Sequence, residues 1–144
     1  MEMMARAARD RTALDIDALL AAVPYCAWLG VKGRIAEGRA ILEMPFDAKL
    51  VGNPIIPAIH GGVIGSLLET AAIVQAVLDT GSTTFPKPVD ITIDYLRTGR
   101  AVTSFASARL ARQGRRVVNV HAQMWQEDAA RPVAALRGHF LLKG

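Results

Sequence analysis

The feature that most constrains the fold is a long apolar stretch in the middle of the chain, from Gly62 to about Leu78. Between His60 and Asp79 only one side chain, that of Glu69, can ionise. The apolar residues do not fall on a single stripe, so a helix formed here is apolar on nearly every side. Such a helix must be buried on most sides, and the sequence therefore predicts one long central helix.

The segments around this stretch carry the patterns of antiparallel strands. "VDITIDYLR" alternates apolar and polar residues, "AVTSFASARLARQGRRVVNVHAQMWQ" divides into two runs near Gln113-Gly114, and "RPVAALRGHFLL" has the pattern of a last strand. Earlier in the chain, two strand-like runs flank a turn at Glu37-Gly38. The loop that leads to the helix contains Pro54 and Pro57, which disfavour regular structure there.

One sheet with a single apolar face and one helix that is apolar all round can bury each other. The sequence predicts an α+β hotdog fold, in which a curved antiparallel sheet of five or six strands wraps around one long central helix. A short amphipathic helix is expected from Asp15 to Val23, ended by Pro24. We expect one domain over residues 1–144, with residues 1–24 as an N-terminal helical extension, and a homodimer that covers the sheet edges.

Composition narrows the function classes. The net charge of +4 and a pI of about 9.7 favour anionic ligands, but no block of like charge suggests nucleic-acid binding. The single cysteine, Cys26, fits a reducing compartment, and neither a signal peptide nor a membrane-spanning run of about 18 apolar residues is expected. His121 and His139 have no metal-ligand spacing, so no metal site is expected. These points predict a cytoplasmic protein that does not bind membranes.

The start of the predicted helix combines two features that suit carbonyl chemistry. First-turn N–H groups lack partners within a helix, and the glycines Gly61 and Gly62 would let a ligand oxygen approach them. Burial of Glu69 raises its pKa toward the range of a general base. The alternatives are a tight entry turn for the glycines and, for Glu69, an ion pair with an arginine at a subunit interface. Gly62, Gly65, Ser66, Glu69 and Ile73 share one helical face, and the small members leave space for a ligand.

His60 and a set of arginines each allow two interpretations from the sequence alone. His60 is either a support for the loop or a direct participant in chemistry. The arginines around the turn "RLARQGRRV", together with Arg97 and Arg100 after an earlier strand, could hold phosphates or could be solvated turn residues.

The motifs "HGGVIGSLLETAA", "VDITIDYLRTG", "RQGRRVVNVHAQMW" and "ALRGHFLL" resemble the hotdog-fold acyl-CoA thioesterases. The phenylacetyl-CoA and 4-hydroxybenzoyl-CoA types are the most similar, and the likeness extends from about Leu29 to the C-terminus. The resemblance implies an acyl-CoA substrate, no separate cofactor because coenzyme A is part of the substrate, and a homodimer or a tetramer made of two dimers. It also implies an active site that is shared between two subunits.

The resemblance implies roles for individual residues. The Gly61 N–H would polarise the thioester carbonyl, Gly62 would shape the turn, His60 would support it, and Glu69 would act as general base or nucleophile. Asn53 resembles the upstream amide residue that helps hold the carbonyl or water. The residues implied in substrate or coenzyme A binding are Asp90, Tyr95, Arg97, Arg112, Gln113, Gly114, Arg115, Arg116 and Val117.

Three departures from the family pattern bear on hydrolysis. The loop from Asn53 to His60 is one residue longer than usual. Ile73 and Pro88 stand where two branches of the family carry hydroxyl residues that place the lytic water, and Ser66, Thr70 or Gln75 could substitute. The leading hypothesis is hydrolysis of a medium-chain or aromatic acyl-CoA. The rivals are a hotdog dehydratase, a non-enzymatic acyl-CoA binding or accessory protein, and an oligomeric structural domain.

Overall fold

The computed structural model describes residues 15–142, so most of the expected N-terminal extension lies outside the described residues. The described residues begin with two short helices, α1 (Ile16–Ala21) and α2 (Pro24–Leu29). The Asp15 carboxylate caps α1 by accepting a hydrogen bond from the Ala18 N–H at 3.0 Å. The sequence predicted a helix from Asp15 to Val23 that Pro24 ends, and the first helix does end before Pro24, at Ala21. The second helix was not predicted. Pro24 is its first residue, because proline lacks an N–H and has a φ suited to that position.

The strands and the central helix come next, and all but two short strands stand in the order that the sequence predicted. They are β1 (Lys32–Ala36), β2 (Arg39–Met44), β3 (Val51–Asn53), β4 (Ala58–Ile59), α3 (Gly61–Thr80), β5 (Lys87–Tyr95), β6 (Ser104–Gln113), β7 (Val117–Trp125) and β8 (Ala134–Leu141). Glu37 and Gly38 join β1 to β2 with φ values of 52° and 75°. Positive φ at both central residues is the geometry of the hairpin turn expected there.

Six strands form one antiparallel sheet in the order β1-β2-β6-β7-β8-β5, which confirms the predicted fold class. The strands β3 and β4 form a separate two-stranded hairpin, where the sequence predicted only a loop. Its tip carries Pro54 and Pro57, so the prolines lie between the short strands and do not interrupt them.

The core lies between α3 and one face of the sheet. Eleven residues of α3 are buried, and residues of β2, β6, β7 and β8 face them. By length and composition α3 could also cross a membrane, with a mean hydropathy of 1.6, but 61% of that window is buried inside the protein. The curved sheet therefore supplies the cover that an all-round-apolar helix requires.

The strand register gives the sheet two distinct ends. Tyr95 lies opposite Ala134, which lies opposite Met124, at the end where α3 begins. Lys87 and Val117 both lie opposite Leu141 at the other end. The C-terminal end of α3 leads to this second end, because only six residues connect Thr80 to Lys87 at the start of β5. The two ends are about eight residues, or roughly 26 Å, apart along the strands.

Candidate active site

The turn into α3 leaves one backbone donor free. His60 is the N-cap residue, and its Nδ1 accepts a hydrogen bond from the Gly62 N–H at 2.8 Å. Gly61 is the first residue of the helix, and the described residues offer its N–H no acceptor. The helix dipole adds positive potential at this position. The Gly61 N–H is therefore available to a carbonyl oxygen, while the Gly62 N–H is occupied by the cap.

Tyr95 holds the same turn from the sheet side. Its hydroxyl donates to the Gly61 carbonyl oxygen at 2.9 Å. A Cβ on Gly61 would lie 3.5 Å from the tyrosine ring, which is an ordinary contact distance, and the side chain of Ile93 lies against Gly65 in the next turn. Tyr95 and Ile93 therefore form one wall beside the start of α3, and the close approach of Ile93 explains the glycine at position 65.

We expect His60→Ala to weaken the turn without unfolding the protein. Loss of the cap should lower the free energy of unfolding by about 1 kcal/mol. The uncapped Gly62 N–H and the looser turn should lower kcat on a thioester substrate roughly tenfold, which corresponds to about 1.4 kcal/mol in the activation barrier. Urea unfolding and steady-state kinetics measure the two effects. His60→Asn, which can also cap, should restore most of both, and a failure of that rescue would argue for direct chemistry by His60.

Glu69 lines a mostly apolar cavity of about 390 Å³ beside α3. Helices α1 and α2 cover this cavity, and the segment before β5 contributes to it. The lining residues are Leu19, Leu20, Val23, Tyr25, Cys26, Ser66, Glu69, Thr70, Ile73, Val74 and Phe85. The structure thus brings Ser66, Glu69 and Ile73 to one cavity wall, as the shared helical face predicted, and Gly65 packs against the sheet instead.

The environment of Glu69 favours its protonated form. Desolvation by burial raises the pKa of the Glu69 carboxyl above its ordinary value. No cation or hydrogen-bond donor among residues 15–142 pairs with this carboxylate in the chain. A carboxylate with a raised pKa in a cavity of this size can accept a proton from water or attack a carbonyl directly.

The hydroxyl groups near Glu69 are partly committed to the helix. Ser66 Oγ donates to the Gly62 carbonyl at 2.8 Å, and Thr70 Oγ1 donates to the Ser66 carbonyl at 2.7 Å. Both oxygens can still accept a hydrogen bond from water, and both residues line the cavity. The third candidate, Gln75, is buried and binds Ala40, Gly38 and Asp79 on another side of the helix. Gln75 therefore serves the fold and does not line the cavity.

Asn53 and Asp90 have local partners in the structure. The Asn53 side chain accepts a hydrogen bond from the Ile55 N–H at 3.1 Å and shapes the tip of the β3–β4 hairpin. Asp90 lies 2.9 Å from His139 Nδ1, and the hydrogen bond with His139 lowers the pKa of the Asp90 carboxyl. Asp90 is on the face of β5 opposite to Tyr95, so the structure does not bring these two predicted binding residues together.

The predicted coenzyme A contacts fall at both ends of the sheet. Arg97 lies near the start of α3, where its guanidinium donates to the Pro132 carbonyl at 2.8 Å. The turn containing Arg112, Gln113, Gly114, Arg115, Arg116 and Val117 is exposed at the opposite end. Gly114 is needed there because a Cβ would lie 2.9 Å from the Val117 carbonyl oxygen. Within one chain, this turn therefore lies the length of the sheet away from the Gly61 N–H.

Sequence reasoning missed the residues that roof the cavity. Tyr25, Phe85 and the α1 leucines reach Glu69 only through tertiary packing, and Tyr25 lies 3.3 Å from Ser66 Oγ. The amphipathic pattern of the first helix was the available signal, since it showed an apolar face that had to be buried against something. It could not show that this face also borders the acid.

Comparison with known proteins decides the family. Residues 57–133, more than half of the chain, match the family model of the thioesterase superfamily. The chain belongs to the thioesterase superfamily. A member of this family is a thioester hydrolase, which agrees with the unpaired donor at Gly61 and the acid at Glu69.

Individual relatives cover most or all of the chain. The medium/long-chain acyl-CoA thioesterase YigI of Salmonella typhimurium is 29% identical and covers 74% of this chain and 77% of its own. A crystal structure of a Chromobacterium violaceum protein is 36% identical, with a TM-score of 0.79 and coverage of 100% and 98% of the two chains. The PaaI protein of the E. coli phenylacetic acid degradation operon is 24% identical, with a TM-score of 0.77 and coverage of 93% and 94%. The last likeness supports the hotdog fold alone.

Proposed function

We propose that this thioesterase hydrolyses a medium-chain or aromatic acyl-CoA to the free acid and coenzyme A. The observation that carries the proposal is the mostly apolar cavity of about 390 Å³. Among residues 15–142, Glu69 is the only carboxylate in its lining, and burial raises the pKa of Glu69. A cavity of this volume is in the range that accommodates small ligands. The name of the similar Salmonella protein, a medium/long-chain acyl-CoA thioesterase, supports the same substrate class.

In the proposed mechanism the Gly61 N–H donates to the thioester carbonyl oxygen. The Glu69 carboxylate takes a proton from water as the water oxygen bonds to the carbonyl carbon. The oxyanion of the tetrahedral intermediate stays hydrogen-bonded to Gly61 and then re-forms the carbonyl as the carbon–sulfur bond breaks. The thiolate leaves and takes the proton from Glu69. Alternatively, a Glu69 carboxylate oxygen bonds to the carbonyl carbon, the carbon–sulfur bond breaks, and coenzyme A leaves as the thiolate, which takes a proton from solvent. Water then hydrolyses the mixed anhydride to the free acid and the Glu69 carboxylate.

The helix geometry supports a site that is completed by a second subunit. Glu69 follows Gly61 by eight residues, which places the two Cα atoms about 12 Å apart along the axis. The exposed Arg112–Val117 turn lies at the sheet end far from Gly61 in the same chain. In an antiparallel pair of chains, Gly61 of one subunit would face Glu69 of the other, and an arginine turn would approach each helix start.

The sheet edge at β5 supplies the surface for such a pair. β5 is the last strand in the sheet order, and it has β8 as its partner on one side. Val89 is 62% exposed on this strand, and Leu96, just after it, is 53% exposed. Unpaired strand edges with exposed apolar side chains favour association. We propose a homodimer, which light scattering of the purified protein tests; a monomer with full activity would contradict the shared site.

Release of free thiol from a panel of acyl-CoA esters tests the proposed reaction. We expect turnover of medium-chain or aromatic esters at a higher kcat/KM than of acetyl-CoA, because the cavity is mostly apolar. Tight binding of these esters with no turnover of any of them would contradict hydrolysis and favour an accessory binding protein.

Ile73 is expected to set the length of the acyl group. Ile73→Phe places a larger side chain in the cavity wall one turn after Glu69. We expect kcat/KM for the longest acyl group that the wild type accepts to fall about tenfold, because the larger side chain would exclude its last few methylenes from the cavity. The kcat/KM for short esters should change little. Ile41→Phe, the same replacement outside this cavity, is the matched control. An equal loss on all chain lengths would contradict a role in chain-length selection.

A further inference from the structure

The outer face of the sheet, opposite α3, carries a cluster of basic side chains. Arg39, Arg109 and Arg137 line a shallow cavity of about 350 Å³ together with His121. Ala108, Ala122 and Leu136, the neighbours of these residues in their strands, are buried toward α3. Because side chains alternate along a strand, the basic groups all project from the outer face. This set is called the basic row below.

The strand register places the basic row across four adjacent strands. Arg109 lies directly opposite His121, and His121 lies directly opposite Arg137. Arg39 extends the row on β2. Ile41 pairs with Ser107, and because the strands are antiparallel, Arg39, two residues before Ile41, lies opposite Arg109, two residues after Ser107. The row thus crosses β2, β6, β7 and β8, a span of about 14 Å at the usual spacing between strands.

The charges in this cavity are poorly balanced by the chain itself. Within the part of the chain that the structure describes, Asp94 is the only acidic residue in the lining, and its carboxylate lies 3.8 Å from Arg137. The Arg109 guanidinium lies 3.2 Å from His121 Nδ1, so its partner is an imidazole nitrogen and not a carboxylate. Like charges on neighbouring strands cost stability. The row therefore brings cations together at a cost that the fold alone does not offset.

We propose that the basic row binds a di- or triphosphate group, either inorganic or carried by a small organic molecule. Guanidinium groups match phosphate oxygens with paired N–H donors. A row of about 14 Å is longer than one phosphate needs, so its long arginine side chains can converge from different strands on successive phosphates. Ser107 and Gln123, which also line the cavity, add neutral donors. The site lies on the face of the sheet opposite to the Glu69 cavity, so it does not depend on the proposed reaction.

Calorimetric titration with pyrophosphate and tripolyphosphate, at low and at physiological salt, tests this proposal. We expect binding that strengthens from phosphate to pyrophosphate to tripolyphosphate, and shifts in the amide NMR signals of Ser107–Arg109 and His121–Gln123. Arg109→Gln and Arg137→Gln should each raise the Kd at least tenfold. Arg34→Gln removes the same charge from a residue outside this cavity and should change the Kd less than twofold.

Several results would overturn the proposal. One is an absence of pyrophosphate binding. Another is binding that is lost in Arg131→Gln or Arg115→Gln but kept in Arg109→Gln and Arg137→Gln. A change in oligomeric mass in Arg109→Gln, without any loss of anion binding, would also overturn it. Arg109→Lys guards against misfolding as an explanation, because it keeps the charge and loses the paired donors; we expect a Kd between those of wild type and Arg109→Gln.

Discussion

Glu69→Gln should lower kcat for thioester hydrolysis about a thousandfold with little change in KM. The amide cannot accept a proton from water or attack the carbonyl, and loss of a general base costs 10² to 10⁴ in rate. The volume of the side chain is kept, so the cavity beside α3 should still hold the acyl group. Thiol release under steady-state conditions measures both constants. Glu43→Gln, at an exposed carboxylate on β2, is the matched control and should keep full activity.

The same variant should be at least as stable as the wild type, which separates a catalytic role from a structural one. Burial raises the pKa of Glu69, so the folded chain holds this proton more tightly than the unfolded chain does. The contribution to stability is complete below the unfolded pKa of about 4.3 and is lost as the pH rises through the higher folded value. The difference in Tm between Glu69→Gln and wild type should therefore grow with pH across this window. A variant with full activity, or one that is strongly destabilised at neutral pH, would contradict the assignment.

Gly52→Ala should disturb the candidate active site, although Gly52 itself lies outside it. A Cβ on Gly52 would lie 2.8 Å from the Cα of His60, and backbone at that distance must move. The displaced residue is the cap of α3, so the Gly61 N–H would shift with it. We expect the free energy of unfolding to fall by about 2 kcal/mol, as for overpacked positions, and kcat to fall more than tenfold.

Urea unfolding and thiol release measure the effects of Gly52→Ala. Gly99→Ala is the matched control, since the nearest atom to its Cβ is the flexible end of Ile64, at 3.0 Å. Its effects should be several times smaller on both measurements. If Gly52→Ala instead lowers stability while kcat stays unchanged, the position of His60 does not control the reaction.

The fold could be predicted from the sequence because two strong patterns agreed. The all-round-apolar segment after His60 required a covering sheet, and the alternating segments after it supplied one. The hairpin at Glu37-Gly38 followed from residues that tolerate positive φ. The second helix was missed because proline both ends helices and begins them, and the sequence alone does not show that Pro24 also begins one.

The candidate site was less accessible because it depends on which side each residue faces. Glu69 stood out as a lone acid, and its cavity wall followed from helical spacing. Asp90 and Tyr95 were grouped through the family resemblance, although residues five apart in a strand face opposite sides. The roof over Glu69 comes from packing between elements far apart in sequence, which no local pattern contains. Hydroxyls at Ser66 and Thr70 were recognised, but their bonds to the helix backbone were not.

The order of strands in the sheet has a consequence for how the protein is made. β5 follows α3 in the chain, yet its partner in the sheet is β8, the last strand that the structure describes. During synthesis β5 leaves the ribosome before β8 does, and its apolar residues stay uncovered until β8 emerges. The β5 side of the sheet therefore forms only after β8 has been synthesised, and a message truncated before Ala134 yields a chain whose β5 has no neighbour to join.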